Sequence, residues 1–592
     1  MRRLLRIATA VAALAALPAA VSSGPATPNA LDADHPPLDV VNTDSGPVRG
    51  SVAADRLAFS GIPYAAAPTG ALRWHAPQPP RRWTTVRDAT APASPCPQLP
   101  SSYAQVNSVD EDCLVLNVTT PRAADHSRSR PVMVWIHGDG AVGAGHFFDP
   151  TLLSTVGDVV VVTINYRLGV FGGFGLPGLT GSGTFGLQDQ QAALRWVRRN
   201  IAGFGGDPSN VTVFGVSYGA LAVTAHLVAP GSAGLFDRAV VQSGFGLVPL
   251  PAGAMYPGGE AQPWMGWRPE REVAELGEWV ASELGCAPAL PADPSVAIAP
   301  AVPAARAFPA GPTTSTAPAP HADPTDPVDP TDVLTCLRAL PVEKILEFGQ
   351  VMNIFQPVAY GGATLPELPA QALRSGHLQR VPVLSGATRD EHRTFVGLFR
   401  VLPGAPVTKE DYPGLVSAAF GPDQLEQILR RYPLAEGESP SLTWASVLTD
   451  GLWARATFEQ NRLFAARTPT YAYEFADRDA PAYLPFPPDF PAGAHHAADT
   501  PYLFPDAQFT AAASAAQGRL SERIIRCWSA FARTGDPDVP GTQRWERFRP
   551  EAAVPYVQSL APDRIGPVDY AREHQLDFWS GVRGSGVRGD TK

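Results

Sequence analysis

The sequence predicts an α/β fold, with a mainly parallel central sheet flanked by helices. Two observations carry this. Apolar runs of strand character recur along the chain and alternate with stretches of helical spacing. A single G-x-S-x-G, Gly215-Val216-Ser217-Tyr218-Gly219, stands between one such run and one such stretch. Strand, sharp turn and helix are the setting that lifts a serine hydroxyl above a sheet.

The elements follow in order. Pro131 to Ile136 is an apolar run that ends in His137-Gly138. Val159 to Ile164 is a second and leads to Asn165-Tyr166-Arg167. Gln188 to Asn200 has helical spacing, with Ala192, Leu194, Trp196 and Val197 available for one face. The run Val211 to Phe214 feeds the serine turn, and Ala220 to Ala225 suits the helix after it. Arg238 to Gln242, Val381 to Leu384 and Tyr471 to Phe475 supply later strands. Such sheets place their chemistry at the carboxyl ends of the strands.

Composition excludes several classes of function. The 592 residues are 17% charged and 45% hydrophobic, which is a globular balance. A net charge of -10 and the lack of a basic patch argue against nucleic acid or anionic membrane as a partner. Arg2, Arg3 and Arg6 precede the apolar Ile7–Ala16, and Pro18 to Ser23 offers small residues for cleavage. We read residues 1–23 as an export signal. No later segment resembles a membrane span, so a secreted, extracellular protein is expected, with residues 24–592 forming a single catalytic domain.

Five cysteines fit that compartment, and none forms a C-x-x-C pair, so no metal site is expected. Sequence neighbours are natural partners: Cys96 with Cys113 and Cys286 with Cys336. Either link would contribute ~3–4 kcal/mol in the chain-entropy model. Cys527 is left as a buried free thiol. Residues 287–331 are dominated by Pro and Ala and read as a disordered insertion between Cys286 and Cys336.

Several segments are similar to the type-B carboxylesterase and cholinesterase-like family of α/β-hydrolases. They are Phe59 to Tyr64, Leu72-Arg73-Trp74, Glu111 to Val118, Asn165 to Gly169 and Asn200 to Pro208. The resemblance runs from about Val48 to about Asp577, apart from the Pro/Ala stretch. It implies an α/β-hydrolase fold and a Ser-Glu-His chain order. It places Ser217 as nucleophile, Glu391 as acid and His496 as base. Asp390 and His495 lie one position away, and only the family register separates them from these choices. His392 and Ala497 stand where the family has glycine. The pairs Arg73–Glu111 and Arg167–Asp189 resemble the family's internal ion pairs.

In the family register the oxyanion donors are the N–H groups of Asp139, Gly140 and Tyr218. Asp139 replaces a glycine, and its carboxylate would oppose an oxyanion. The side chain must turn into water or a salt bridge, or have its pKa raised. We expect it to point outward. The implied function is a secreted serine carboxylesterase acting on small-molecule esters with no cofactor. The alternatives are an impaired, cholinesterase-like binding protein, or an amide or thioester hydrolase on the same triad.

Overall fold

The computed structural model describes residues 39–101, 104–122, 129–288, 330–348, 351–562 and 564–582. The expected export signal lies outside the described residues, as does the Pro/Ala stretch from 289 to 329.

An 11-stranded sheet organises the molecule. Its strands are β1 (Ser51–Val52), β2 (Arg56–Pro63), β3 (Val115–Pro121), β4 (Arg130–Ile136), β5 (Val160–Ile164), β6 (Gly206–Val216), β7 (Arg238–Gln242), β8 (Val383–Thr388), β9 (Thr470–Phe475), β10 (Val557–Leu560) and β11 (Gly566–Val568). They lie side by side in the order β11-β10-β9-β8-β7-β6-β4-β5-β3-β2-β1. Neighbours from β5 across to β10 run parallel. The strands outside this block are antiparallel to their neighbours. Every residue of β4, β5, β8 and β9 is buried. This is why β4 and β5 read as near-continuous apolar runs rather than alternating ones.

The helices are built on recognisable local chemistry. Those used below are α1 (Phe185–Asn200), α2 (Tyr218–Val228), α3 (Glu270–Glu283), α4 (Pro330–Ala339), α5 (Arg393–Val396), α6 (Pro440–Leu448), α7 (Arg455–Ala465) and α8 (Ala515–Thr534). Helix α1 starts earlier than its apolar spacing suggests, and it buries Ala193, Leu194, Trp196 and Val197. Ser514 and Gln517 form a reciprocal capping box at the start of α8, and Gly535 ends it in the left-handed region at φ 80°. Cys527, on α8, is free and buried.

Two boundaries differ from the sequence reading for a shared reason. Strand β8 begins at Val383 rather than Val381, because Pro382 has no N–H for the ladder. It continues through Ser385-Gly386-Ala387-Thr388, whose small side chains do not register as an apolar run. Helix α4 begins at Pro330, inside the stretch read as insertion, since proline is tolerated where a helix has no N–H partner anyway. Cys286, just beyond α3, is joined to Cys336 of α4 with Cα atoms 5.6 Å apart. Cys96 is joined to Cys113 with Cα atoms 5.0 Å apart.

Buried ion pairs brace the carboxyl side of the sheet. Arg167 grips Asp189 through Nε and Nη2, each 2.7 Å from a carboxylate oxygen. Arg73 grips Glu111 in the same two-pronged way and also donates to the Leu340 carbonyl at 2.7 Å. Breaking one such pair strands a buried charge and costs about 3–5 kcal/mol.

Candidate active site

Ser217 sits between the last residue of β6 and the first of α2, at φ 57° and ψ -121°. That backbone region is strained for a residue with a Cβ, and the packing around it enforces the turn. A Cβ at Gly215 would meet the Ile136 carbonyl oxygen at 2.6 Å, and one at Gly219 would meet it at 2.0 Å. Only glycine lets the elbow close onto β4. The Ser217 N–H is fixed to the Gln242 carbonyl of β7 at 2.9 Å, while its side chain stays half-buried and reachable.

Two later loops meet the serine. Glu391 lies on the turn after β8 and His496 on the long connection after β9. His496 Nε2 is 2.8 Å from Ser217 Oγ. Its Nδ1 is hydrogen-bonded to Glu391 Oε2. Glu391 Oε1 accepts from the Thr388 N–H at 2.7 Å, which fixes the carboxylate. Imidazole and carboxylate are almost fully buried, so their interaction is little weakened by water.

The neighbours one position away are used differently. Asp390 accepts two bonds from Arg478 at 2.9 Å and one from the Ala494 N–H at 3.1 Å. Arg393 pairs with it at 3.3 Å. Asp390 thus ties the turn that carries Glu391 to the loop that carries His496. His495 is held elsewhere, with Nδ1 3.2 Å from the Gly493 carbonyl oxygen. Burial lowers its pKa to about 4, so it is neutral.

Aromatic rings complete the wall around the imidazole. Trp453 and Phe395 lie 4.9 Å and 5.1 Å from the His496 ring, measured between centroids. Trp453 is carried on a π-helical turn, Thr449–Ala454, between α6 and α7. A second π turn, Gly397–Val401, follows α5 and carries Phe399. Trp453 Nε1 donates to His392 Nδ1 at 3.0 Å, and His392 Nε2 donates to the Ala254 carbonyl at 3.0 Å. Burial lowers the His392 pKa to about 4 and keeps that ring neutral, while the bond received from Trp453 at Nδ1 fixes this tautomer.

The loop after β4 faces the elbow. A Cβ at Gly138 would come within 3.2 Å of the Ser217 Cβ. Asp139 adopts φ 73°, and the Gly140 N–H donates back to the Gly138 carbonyl at 3.1 Å, closing a tight three-residue turn. The Asp139 carboxylate turns neither into bulk water nor into a salt bridge. Its Oδ1 accepts from the N–H groups of Ala141 at 2.9 Å and Val142 at 3.2 Å, and from Gln356 Nε2 at 3.2 Å. Burial raises its pKa to about 6, against the two backbone bonds that lower it. The expectation that it points outward is thus replaced by a carboxylate folded back on its own loop. Tyr218 lays its ring against Gly140, where a Cβ would lie 2.6 Å from the ring.

The carboxylesterase family model matches residues 37–257 and 319–579. This chain belongs to the carboxylesterase family. It is a carboxylic ester hydrolase. Carboxylesterase 3 of Pongo abelii is 30% identical over 577 residues, covering 91% of this chain and 90% of that protein. The para-nitrobenzyl esterase of Bacillus subtilis (strain 168) is 30% identical over 527 residues, covering 86% and 93%. A solved PNB esterase superposes with a TM-score of 0.68 at 28% identity, covering 91% of this chain and 99% of that one.

Within this carboxylesterase, Trp453, Phe395, Gln356 and Arg478 were missed by the sequence reading. Each reaches the site from a segment with no motif of its own. His392 carried a visible sign, since it departs from glycine directly beside the acid, but its two partners are far away in sequence.

Proposed function

We propose that this enzyme is a secreted serine esterase working through Ser217, His496 and Glu391. The observation that carries the reading is the continuous relay from Ser217 Oγ to His496 Nε2, 2.8 Å, and from His496 Nδ1 to Glu391. Ser217 Oγ attacks the ester carbonyl and gives its proton to His496. Glu391 holds the imidazole in the correct tautomer and stabilises its cation. The N–H groups of Asp139, Gly140 and Tyr218 take the oxyanion, with Gly140 first leaving its bond to the Gly138 carbonyl. His496 then protonates the departing alcohol. It next takes a proton from water, whose oxygen attacks the acyl carbon; the bond to Ser217 Oγ breaks, His496 returns the proton to Oγ and the acid leaves.

The basic and apolar start of the chain, with its two disulfides, supports export. Labelling by a fluorophosphonate, lost together with ester hydrolysis in folded Ser217→Ala, tests the mechanism. Turnover near wild type in that variant would overturn it.

A further inference from the structure

We propose that Gln356 is a positioning residue of the oxyanion hole. It ties the Asp139 carboxylate back onto its own loop, so that Asp139 offers its N–H to the oxyanion without setting its charge against it. The proposal rests on the reading of Ser217 as nucleophile and deepens it.

The conflict at this loop is real. Burial raises the Asp139 pKa to about 6, which leaves the carboxylate charged at neutral pH. A negative charge on a residue that donates to an oxyanion opposes the charge formed there. Among the described residues the Asp139 N–H meets no acceptor, whereas Oδ1 meets three donors. The two ends of one residue are thus kept apart. The N–H groups of Ala141 and Val142 come with the turn itself. Among these donors only Gln356 Nε2, 3.2 Å away, comes from another segment.

Gln356 is firmly placed. It follows the short helix Val351–Ile354, and its N–H donates to the Asn353 carbonyl at 3.1 Å. The helical turn Gly169–Gly173 packs tightly on this segment. A Cβ at Gly169 would lie 2.7 Å from the Met352 Cα, and one at Gly173 would lie 2.0 Å from the Phe355 carbonyl oxygen. The Gly169 N–H in turn donates to the Gly140 carbonyl at 2.8 Å. Oxyanion loop, glycine turn and Gln356 segment therefore form a closed circuit, with the bond from Gln356 to Asp139 as its last link.

A hydrogen bond to an ionised group is stronger than one between neutral groups, so this link carries weight. Without it the carboxylate is free to rotate toward the hole. The harm then falls where negative charge develops, and the transition state suffers more than the bound ester.

The test is a double-mutant cycle on one uncharged ester, p-nitrophenyl acetate. Gln356→Met keeps the length of the side chain and removes the donor. It should lower kcat by about tenfold or more and change KM by less than about threefold. A trifluoromethyl ketone, which binds Ser217 as an oxyanion, should bind more weakly by a similar factor. In the Asp139→Gly background the same replacement should change kcat and inhibitor binding by less than about twofold, since no carboxylate is left to hold. Damage to folding would appear in both backgrounds, so suppression by Asp139→Gly separates positioning from stability. Gln356→Ala, taken through the same cycle, gives a second route to the same loss. An unchanged kcat in Gln356→Met, an equal loss in both backgrounds, or a rise in KM alone would each overturn the proposal. Failure of wild type to hydrolyse the ester, or to take up the fluorophosphonate, would instead overturn the reading of Ser217.

Discussion

His392 takes the place of a glycine beside the acid and uses both ring nitrogens, one to receive Trp453 and one to hold Ala254. Its N–H also donates to Thr449 Oγ1 at 3.0 Å. Losing two buried hydrogen bonds and the ring volume should destabilise His392→Gly by about 2–4 kcal/mol. Because Trp453 then loosens against His496, kcat should fall while labelling of Ser217 persists, and a denaturation midpoint with steady-state kinetics checks both. Replacement of the triad members gives a sharper contrast. His496→Ala and Glu391→Ala should each lower kcat by about 10⁴-fold or more. His495→Ala should cost far less, and a reversed ranking would move the register by one residue. Asp390→Ala should act chiefly on stability, seen as a lowered Tm with residual turnover, because its partners are Arg478, Arg393 and the Ala494 N–H.

Elements explain which parts of the site were legible in the sequence. The elbow could be read because a strand, two glycines and a helix lie within a few residues. Strands buried on both faces announced themselves through runs such as Val160–Ile164. The π turns did not, since they arise where packing forces a wide loop into a helix rather than from composition. The orientation of Asp139 was equally hidden, being decided by Gln356 and by its own loop's N–H groups. One link between elements has a pH signature. His574 donates to Asp450 of the π turn Thr449–Ala454 and to Glu474 of β9, both at 2.6 Å. Burial opposes its charge, but the bonds to these carboxylates outweigh it and raise the pKa to about 9 from the ordinary 6.5. The folded value exceeds the unfolded one, so the stabilisation is complete below pH ~6.5 and disappears as pH rises through about 9. The unfolding free energy from urea titrations should fall across that window by an amount on the order of 3 kcal/mol. His574→Gln should remove most of the slope, and an unchanged slope in that variant would refute the assignment.

At the scale of the whole molecule, the resemblance anticipated family and sheet, and the disulfides join the expected neighbours. Asn117-Val118-Thr119 has the Asn-x-Thr form of a glycosylation acceptor, yet the Asn117 side chain is buried in β3, donating to Thr163 Oγ1 and accepting from the Gly61 N–H. A folded molecule offers no access there, so peptide mapping should find Asn117 unmodified. The Cys286–Cys336 link spans 50 residues. Replacing both cysteines with serine should cost about 2–5 kcal/mol, read as a lower Tm under non-reducing conditions. Since the link joins the end of α3 to α4 and neither cysteine bonds the Ser217–His496–Glu391 relay, turnover at low temperature should survive.

The pieces that make the site lie far apart along the chain. The oxyanion loop follows β4, the serine follows β6, the acid follows β8 and the base follows β9. Glu474, which pins Arg389 beside the acid, is in turn clasped by His574. A ribosome must therefore release nearly all of these residues before the relay can close. The growing polypeptide stays chemically silent through almost its entire synthesis. Activity waits on the docking of the later segments.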